Sequence, residues 1–265
     1  MKKQLKEMIE NDGLKVYGDL VKINGVLYPL PLVNGNEKIG RGVWHASTLA
    51  TDKEISATVN GETVTECGTC PITCPGCYGC TGNYRFNGVK YALIMRTRLL
   101  RNYPEIYFDL CRYQIAAENI RYIRVHATGD FIENEARGWF EIFRDNSDLI
   151  GWTYTKCAIK GDIKKLNSLN NFNIVSSMVP GCGFNFGHIS YILNAYNKLI
   201  AAGEAPYICR CGIDKNQHCS NCTGCSKNKY VLFIEHSTDY KAEKDSLYND
   251  IKAIIEAQPA QLLQQ

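Results

Sequence analysis

From residue 89 onward the hydrophobic and polar positions follow two alternating periods. Apolar residues at three- and four-residue intervals predict helices over residues 89–102, 104–118, 134–144, 162–169, 189–202 and 244–257. Between them, short runs rich in β-branched and aromatic residues predict strands over 122–126, 149–154, 172–178 and 230–236. Strand and helix take turns with connections long enough for right-handed crossovers, which predicts a largely parallel α/β sheet or an incomplete (β/α) barrel. Nearer the start, residues 2–10 suit a short helix, and residues 20–32 read as one or two extended segments broken by Gly25, Pro29 and Pro31.

In such folds the chemistry gathers where strands end, at the carboxyl edge of the sheet. The polar residues of this chain fall in those places. His126-Ala127-Thr128-Gly129-Asp130-Phe131 follows one predicted strand, Thr155-Lys156-Cys157 the next, and Ser176-Ser177 lies near the end of a third. His126 could serve as an acid, a base or a cofactor contact, or be a satisfied structural histidine. Asp130 could anchor an ammonium or hydroxyl group, or cap the following helix. Lys156 could bind a carboxylate or phosphate, or form a surface ion pair. Cys111 reads as helix packing and Cys157 as either packing or ligand, while His45 carries too little context for a role.

The stretch from Cys67 to Gly82 breaks both periods. Five cysteines, Cys67, Cys70, Cys74, Cys77 and Cys80, stand there among glycines and prolines. Short Gly- and Pro-rich loops let several soft sulfurs converge, so this loop is expected to hold metal, either zinc in a closed tetrahedral site or an iron–sulfur cluster. A second set, Cys209, Cys211, Cys219, Cys222 and Cys225 with His218, offers the same choice. The nearby Arg210, Lys227 and Lys229 would suit a zinc knuckle on single-stranded nucleic acid, or be ordinary solvated residues. Arg96, Arg98 and Arg101 on one helix could meet phosphate, or form a solvent face or internal ion pairs.

Composition narrows the setting. Thirteen cysteines in 265 residues, an odd number, fit poorly with a fully paired disulfide framework. The opening Met1-Lys2-Lys3-Gln4-Leu5-Lys6-Glu7 has no apolar core of the kind a secretory signal carries, so a cytoplasmic setting is expected, where clustered thiols hold metal or do chemistry. No run approaches the roughly 18 apolar residues of a membrane span. The net charge of +3, from 30 basic and 27 acidic residues, gives nucleic acid no particular support. We divide the chain into an N-terminal extension over 1–60, an α/β core with the first cysteine cluster over 61–205, and a cysteine-rich segment with a final strand and helix over 206–265.

Two resemblances sharpen these expectations. The run Cys70-x3-Cys74-x2-Cys77 resembles the cluster loop of radical S-adenosylmethionine (SAM) enzymes, which carry a [4Fe-4S] cluster on a partial (β/α) barrel. That resemblance implies Gly129 and Asp130 at the segment holding the methionine amino group, and Ser176 and Ser177 at a later cofactor-binding segment. It further implies a one-electron donor and an unknown substrate. Gly76 precedes the third cysteine where that family usually has an aromatic residue, and Cys67 and Cys80 are additional, so the ligand set stays open. Over residues 38–236, the motifs Cys77-Tyr78, Gly82-Asn83-Tyr84-Arg85-Phe86, Arg124 to Phe131, Trp152-Thr153-Tyr154-Thr155-Lys156 and Phe233-Ile234-Glu235-His236 together resemble the gene product eighty-eight family of phage and mobile-element proteins. That resemblance implies a phage or prophage origin and a host-cytoplasm location. The alternatives to a radical-SAM-like enzyme are a zinc-stabilised module binding nucleic acid or protein, and an iron–sulfur electron carrier or sensor.

Overall fold

A computed structural model describes residues 14–35, 39–72, 78–177, 184–187, 189–210, 218–222, 224–234 and 244–258. The helix expected over 2–10 lies outside them. Along the chain run β1 (Lys15–Tyr17), β2 (Leu20–Ile23), β3 (Val26–Pro29), β4 (Leu32–Asn34), β5 (Val43–Ala46), β6 (Glu54–Val59) and β7 (Glu62–Cys67). Helices α1 (Asn87–Asn102) and α2 (Pro104–Glu118) follow, then β8 (Tyr122–Arg124), α3 (Glu135–Asp145), β9 (Ile150–Thr155), α4 (Gly161–Asn167) and β10 (Phe172–Ser176). The last part holds β11 (Phe184–Gly187), α5 (Ile189–Ala201), β12 (Tyr207–Ile208), α6 (Gly224–Lys227), β13 (Val231–Ile234) and α7 (Lys244–Ala257). Local chemistry explains the sharp bounds of α2: Pro104 opens it, where a missing N–H costs nothing, and Asn119 closes it in the left-handed conformation at φ 51°.

The central sheet has the order β10-β9-β8-β5-β4, with β5, β8, β9 and β10 parallel and β4 antiparallel at one edge. Each parallel strand lies beside the next one in sequence, so the sheet is wound in one direction. Right-handed crossovers then put all the connecting helices on one face. The packing agrees. Ile123, Phe172 and Ile174 meet Ile94, Tyr107, Leu110, Trp139, Phe143 and Leu166 in one buried cluster. Edge-to-face rings tie it together, with Phe108 against Trp139 at 5.6 Å and Phe143 against Phe172 at 4.5 Å.

The opposite face carries Val43, Tyr122, Arg124, Trp152, Tyr154 and Val175, in the alternation a strand imposes. It is covered by the C-terminal part of the chain: Cys219 and Cys225 pack on Val43 and Trp152, and Tyr207 and Val231 on Val175. A second sheet, all parallel with the order β11-β13-β12, has its own core, where Ile208, Leu232 and Ile234 meet Ile192, Ile251 and Ile255.

The described residues thus form a mixed α/β fold of several sheets with no closed barrel. Strands β4 and β5 come from residues assigned above to an N-terminal extension, and they are built into the central sheet. Among the described residues no helix is long and apolar enough to cross a membrane.

Candidate functional site

The carboxyl ends of the four parallel strands are knitted into one mouth. Ala127 N donates to Ala46 O at 3.1 Å and Thr48 N to Thr128 O at 3.1 Å, while Thr128 Oγ1 returns a bond to Thr48 O at 2.6 Å. Gly129 then turns with φ +89°, and a β-carbon there would lie 2.0 Å from Thr48 Oγ1. The base of the first cysteine loop is fastened to the same place. Thr69 N and Cys70 N donate to Leu49 O and Thr51 O, the hydroxyls of Thr48 and Thr69 stand 2.9 Å apart, and Asp130 N donates to Thr69 Oγ1 at 2.9 Å. From outside, Arg101 donates to Glu66, to Cys67 O and to Gly68 O, and Arg98 pairs with Glu66. These two arginines of the predicted helix form internal ion pairs.

Asp130 is wholly buried, and the chain supplies its donors. Its carboxylate accepts from Phe131 N at 2.8 Å, Thr155 Oγ1 at 2.5 Å and Lys156 N at 2.7 Å. The side chain therefore acts as a rivet between the β8 and β9 ends, and Ser177 N, bonded to Thr155 O at 2.7 Å, adds the β10 end. Lys156 is half-buried here, as is Cys157, whose thiol burial and Asp130 push up to about 12. Gly129, Asp130, Lys156, Ser177 and Cys70 thus share one region, with Ser176 closing β10. Cys67 and Cys80 are exposed, and Cys74 and Cys77 lie outside the described residues.

His126 takes a left-handed backbone at φ 57°, which turns its ring inward. Its Nε2 lies 2.8 Å from Glu135 Oε1, with neither side chain accessible, and Phe131 abuts the ring edge-to-face at 4.7 Å. Burial works against its protonation, but the charge and hydrogen bond of Glu135 outweigh that, leaving the histidine pKa raised. Glu135 also accepts from Trp139 Nε1 and Ile132 N.

His45 behaves in the opposite sense. Burial, then the charges of Arg124 and Arg96, hold its pKa down to about 4. Its folded value lies below its unfolded value near ~6.5, so its neutral form stabilises the fold above that pH and the contribution is lost as pH falls toward about 4. Urea midpoints measured between these pH values should decline with acid in the wild type and decline less in His45→Asn; equal slopes would refute the assignment.

The second cysteine set gathers on the other face of the sheet. Cys209 is buried, Cys219, Cys222 and Cys225 are half-buried, and Cys211 lies outside the described residues. Cys222 Sγ receives Gly224 N at 3.3 Å and lies 3.0 Å from Tyr207 Oη. Burial, then the proximity of Cys219, pushes the Cys225 thiol well up. Two of the three basic residues around this loop are engaged: Arg210 donates to Ile255 O and Gln258 O, and Lys229 pairs with Glu204. Among the described residues, no three His, Cys, Asp or Glu side chains are grouped so as to hold a metal ion.

The sequence reading passed over Thr48, Thr69, Glu135 and Tyr207, and used Arg124 only within a motif. Of these, Thr69 was marked by its place between Cys67 and Cys70, whereas Glu135 becomes visible only when the His126 turn brings it close.

A profile for the gene product 88 family matches residues 30–179, more than half of the chain. No curated protein and no solved structure matches it significantly.

Proposed function

The chain belongs to the gene product 88 family, and from that starting point we propose that it is an iron–sulfur enzyme of the radical-SAM kind, built on a partial (β/α) barrel. The observation that carries this reading is the order of chemistry along the one-way sheet. The first cysteine loop comes after the first parallel strand, β5; Gly129-Asp130 follows the second, β8; Ser176-Ser177 sits at the end of the fourth, β10. The Asp130–Thr69 bond then ties the loop's base to the mouth, with Cys70 buried beside it.

The donors suit the group: soft thiolates in a short Gly- and Pro-rich loop are what a [4Fe-4S] cluster takes. Cys70, Cys74 and Cys77 would hold three irons and leave the fourth open to SAM. When bound, the cluster supplies one electron, drawn from an external one-electron donor, for SAM cleavage. The chain's own residues position and seal. Asp130 fixes the β8 and β9 loops rather than touching a ligand, His126 with Glu135 holds the turn, and half-buried Lys156 would supply the cation for a carboxylate such as that of SAM.

The test is anaerobic purification with iron and acid-labile sulfide analysis, and electron paramagnetic resonance of the reduced protein with and without SAM. The expected result is about four irons with matching sulfide, lost in Cys70→Ser/Cys77→Ser, and a spectrum that SAM shifts. Iron–sulfur with no response to SAM would refute the SAM chemistry, and zinc alone would refute both it and the cluster.

A further inference from the structure

We infer that Thr69 is a positioning residue whose hydroxyl couples the first cysteine loop to the Gly129–Asp130 turn, so that the place of Cys70 and the shape of the turn where the radical-SAM reading seats the methionine end of SAM are set together. The ligand's identity rests on that reading, whereas the link between loop and turn stands on the contacts alone.

Three segments far apart in sequence end on one oxygen. Thr48 lies just beyond β5, Thr69 stands directly before Cys70, and Asp130 belongs to the turn after β8; all three are buried. Hydrogen bookkeeping fixes the direction of each bond. Thr69 Oγ1 donates its single hydrogen to Leu49 O at 3.1 Å. It can then only accept, so Thr48 Oγ1 donates to it at 2.9 Å, and Asp130 N donates to it at 2.9 Å. A hydroxyl offers one donor and two acceptor sites, and all three are in use. Removing this oxygen leaves the Asp130 N–H and the Thr48 O–H without the acceptor they share, in a place sealed from water.

Each side of the link leads to a group that the site needs. On the loop side, Thr69 N and Cys70 N donate to Leu49 O at 2.9 Å and Thr51 O at 3.1 Å, so a shift of Thr69 carries Cys70 with it. On the turn side, Gly129 lies so close that an added β-carbon would fall 2.7 Å from Thr69 Oγ1. Asp130, whose amide makes the bond, also fixes the end of β9 through Thr155 Oγ1 and Lys156 N. Cys157 in that segment lies within electrostatic reach of both Asp130 and Cys70, which puts the buried Cys70 thiol beside the mouth. A close-packed interior transmits such displacements rather than absorbing them.

The experiment uses full-length wild type, Thr69→Val, Thr69→Ser and Gly129→Ala. In metal-free protein, alkylation of Cys70 is timed against that of Cys111, which is buried in α2 and reports unfolding of the core. Thr69→Val should raise the Cys70 rate relative to Cys111 roughly 10-fold, the order of one lost buried hydrogen bond. Gly129→Ala, which disturbs the link from the turn side, should raise it too, and Thr69→Ser should keep the wild-type rate. In anaerobically loaded protein, the SAM concentration giving half of the paramagnetic-resonance change should rise about 5- to 150-fold in Thr69→Val, the usual span of a coupling between two sites, and stay near wild type in Thr69→Ser. Coupling is reciprocal, so SAM should slow the loss of iron to a chelator in the wild type and not in Thr69→Val. A Cys70 rate that rises only in step with that of Cys111, or that Gly129→Ala leaves unchanged, would overturn the link. A wild-type SAM titration in Thr69→Val would overturn its bearing on SAM. Should the wild type itself ignore SAM, the proposed chemistry falls, and the two alkylation rates still decide whether loop and turn are joined.

Discussion

Replacing Gly129 with alanine should lower the stability of the protein by about 3–5 kcal/mol, summing a left-handed backbone and an overpacked contact. Both causes act at one atom. The backbone sits at φ +89°, and the added carbon would fall 2.0 Å from Thr48 Oγ1 and 2.7 Å from Thr69 Oγ1. Those two hydroxyls cannot simply move aside, because they hold each other and Thr69 holds the Asp130 amide. A suitable comparison is Gly18, also left-handed at φ +57° but with nothing within 4 Å of an added carbon. Gly18→Ala should cost only about 1 kcal/mol, from the backbone alone. Urea unfolding of the two variants decides the matter: equal losses would mean that the threonine contacts are soft and the mouth is not rigidly built.

Glu135→Ala should be nearly as damaging, at about 3–5 kcal/mol, because it strips one partner from a sealed charge pair and leaves the Trp139 and Ile132 N–H groups without their acceptor. The same pair sets a pH dependence. The folded pKa of His126 is raised, so its contribution is complete below the unfolded value near ~6.5 and is lost as pH rises through the folded value. His45 acts on the acid side of the same boundary, so these two histidines together favour maximum stability near ~6.5. Glu135→Gln keeps an acceptor and removes the charge. Its midpoint should therefore fall less steeply above that pH than the wild type's, and an unchanged alkaline slope would show that His126 is neutral in the native protein.

Much of this architecture can be read from residue order alone, and the exceptions have physical causes. Helices α1 to α3 and α7 carry long apolar stripes, and the strands between them are short but strongly β-branched or aromatic, so period alone locates them. Strand β5, Val43-Trp44-His45-Ala46, has no such signature. It becomes a strand because β4 and β8 lie on either side of it. The β6–β7 hairpin carries a local signature: Asn60-Gly61 between two threonine- and valine-bearing runs is a strong short-range hairpin signal. Of the candidate residues, Asp130 and His126 are visible in the sequence as polar groups near strand ends, but period and spacing do not reveal what surrounds them. Whether a carboxylate is open to a ligand or closed by Thr155, Lys156 and Phe131 is decided by contacts 25 residues apart.

The one-sided winding of the central sheet also bears on how the protein is made. A ribosome that has just released Ser177 has delivered every strand of that sheet and all four helices that line its inner wall, but none of the residues that roof the other side. Val43, Trp152 and Val175 then wait, wet and adhesive, while 30 further residues are added to reach Tyr207 and 42 to reach the Cys219 turn, at about 5–20 per second. For those seconds the nascent chain presents an apolar wall to its neighbours, and a chaperone that shields such surfaces, or a pause that prolongs their exposure, will govern how much of the synthesised protein is recovered in soluble form.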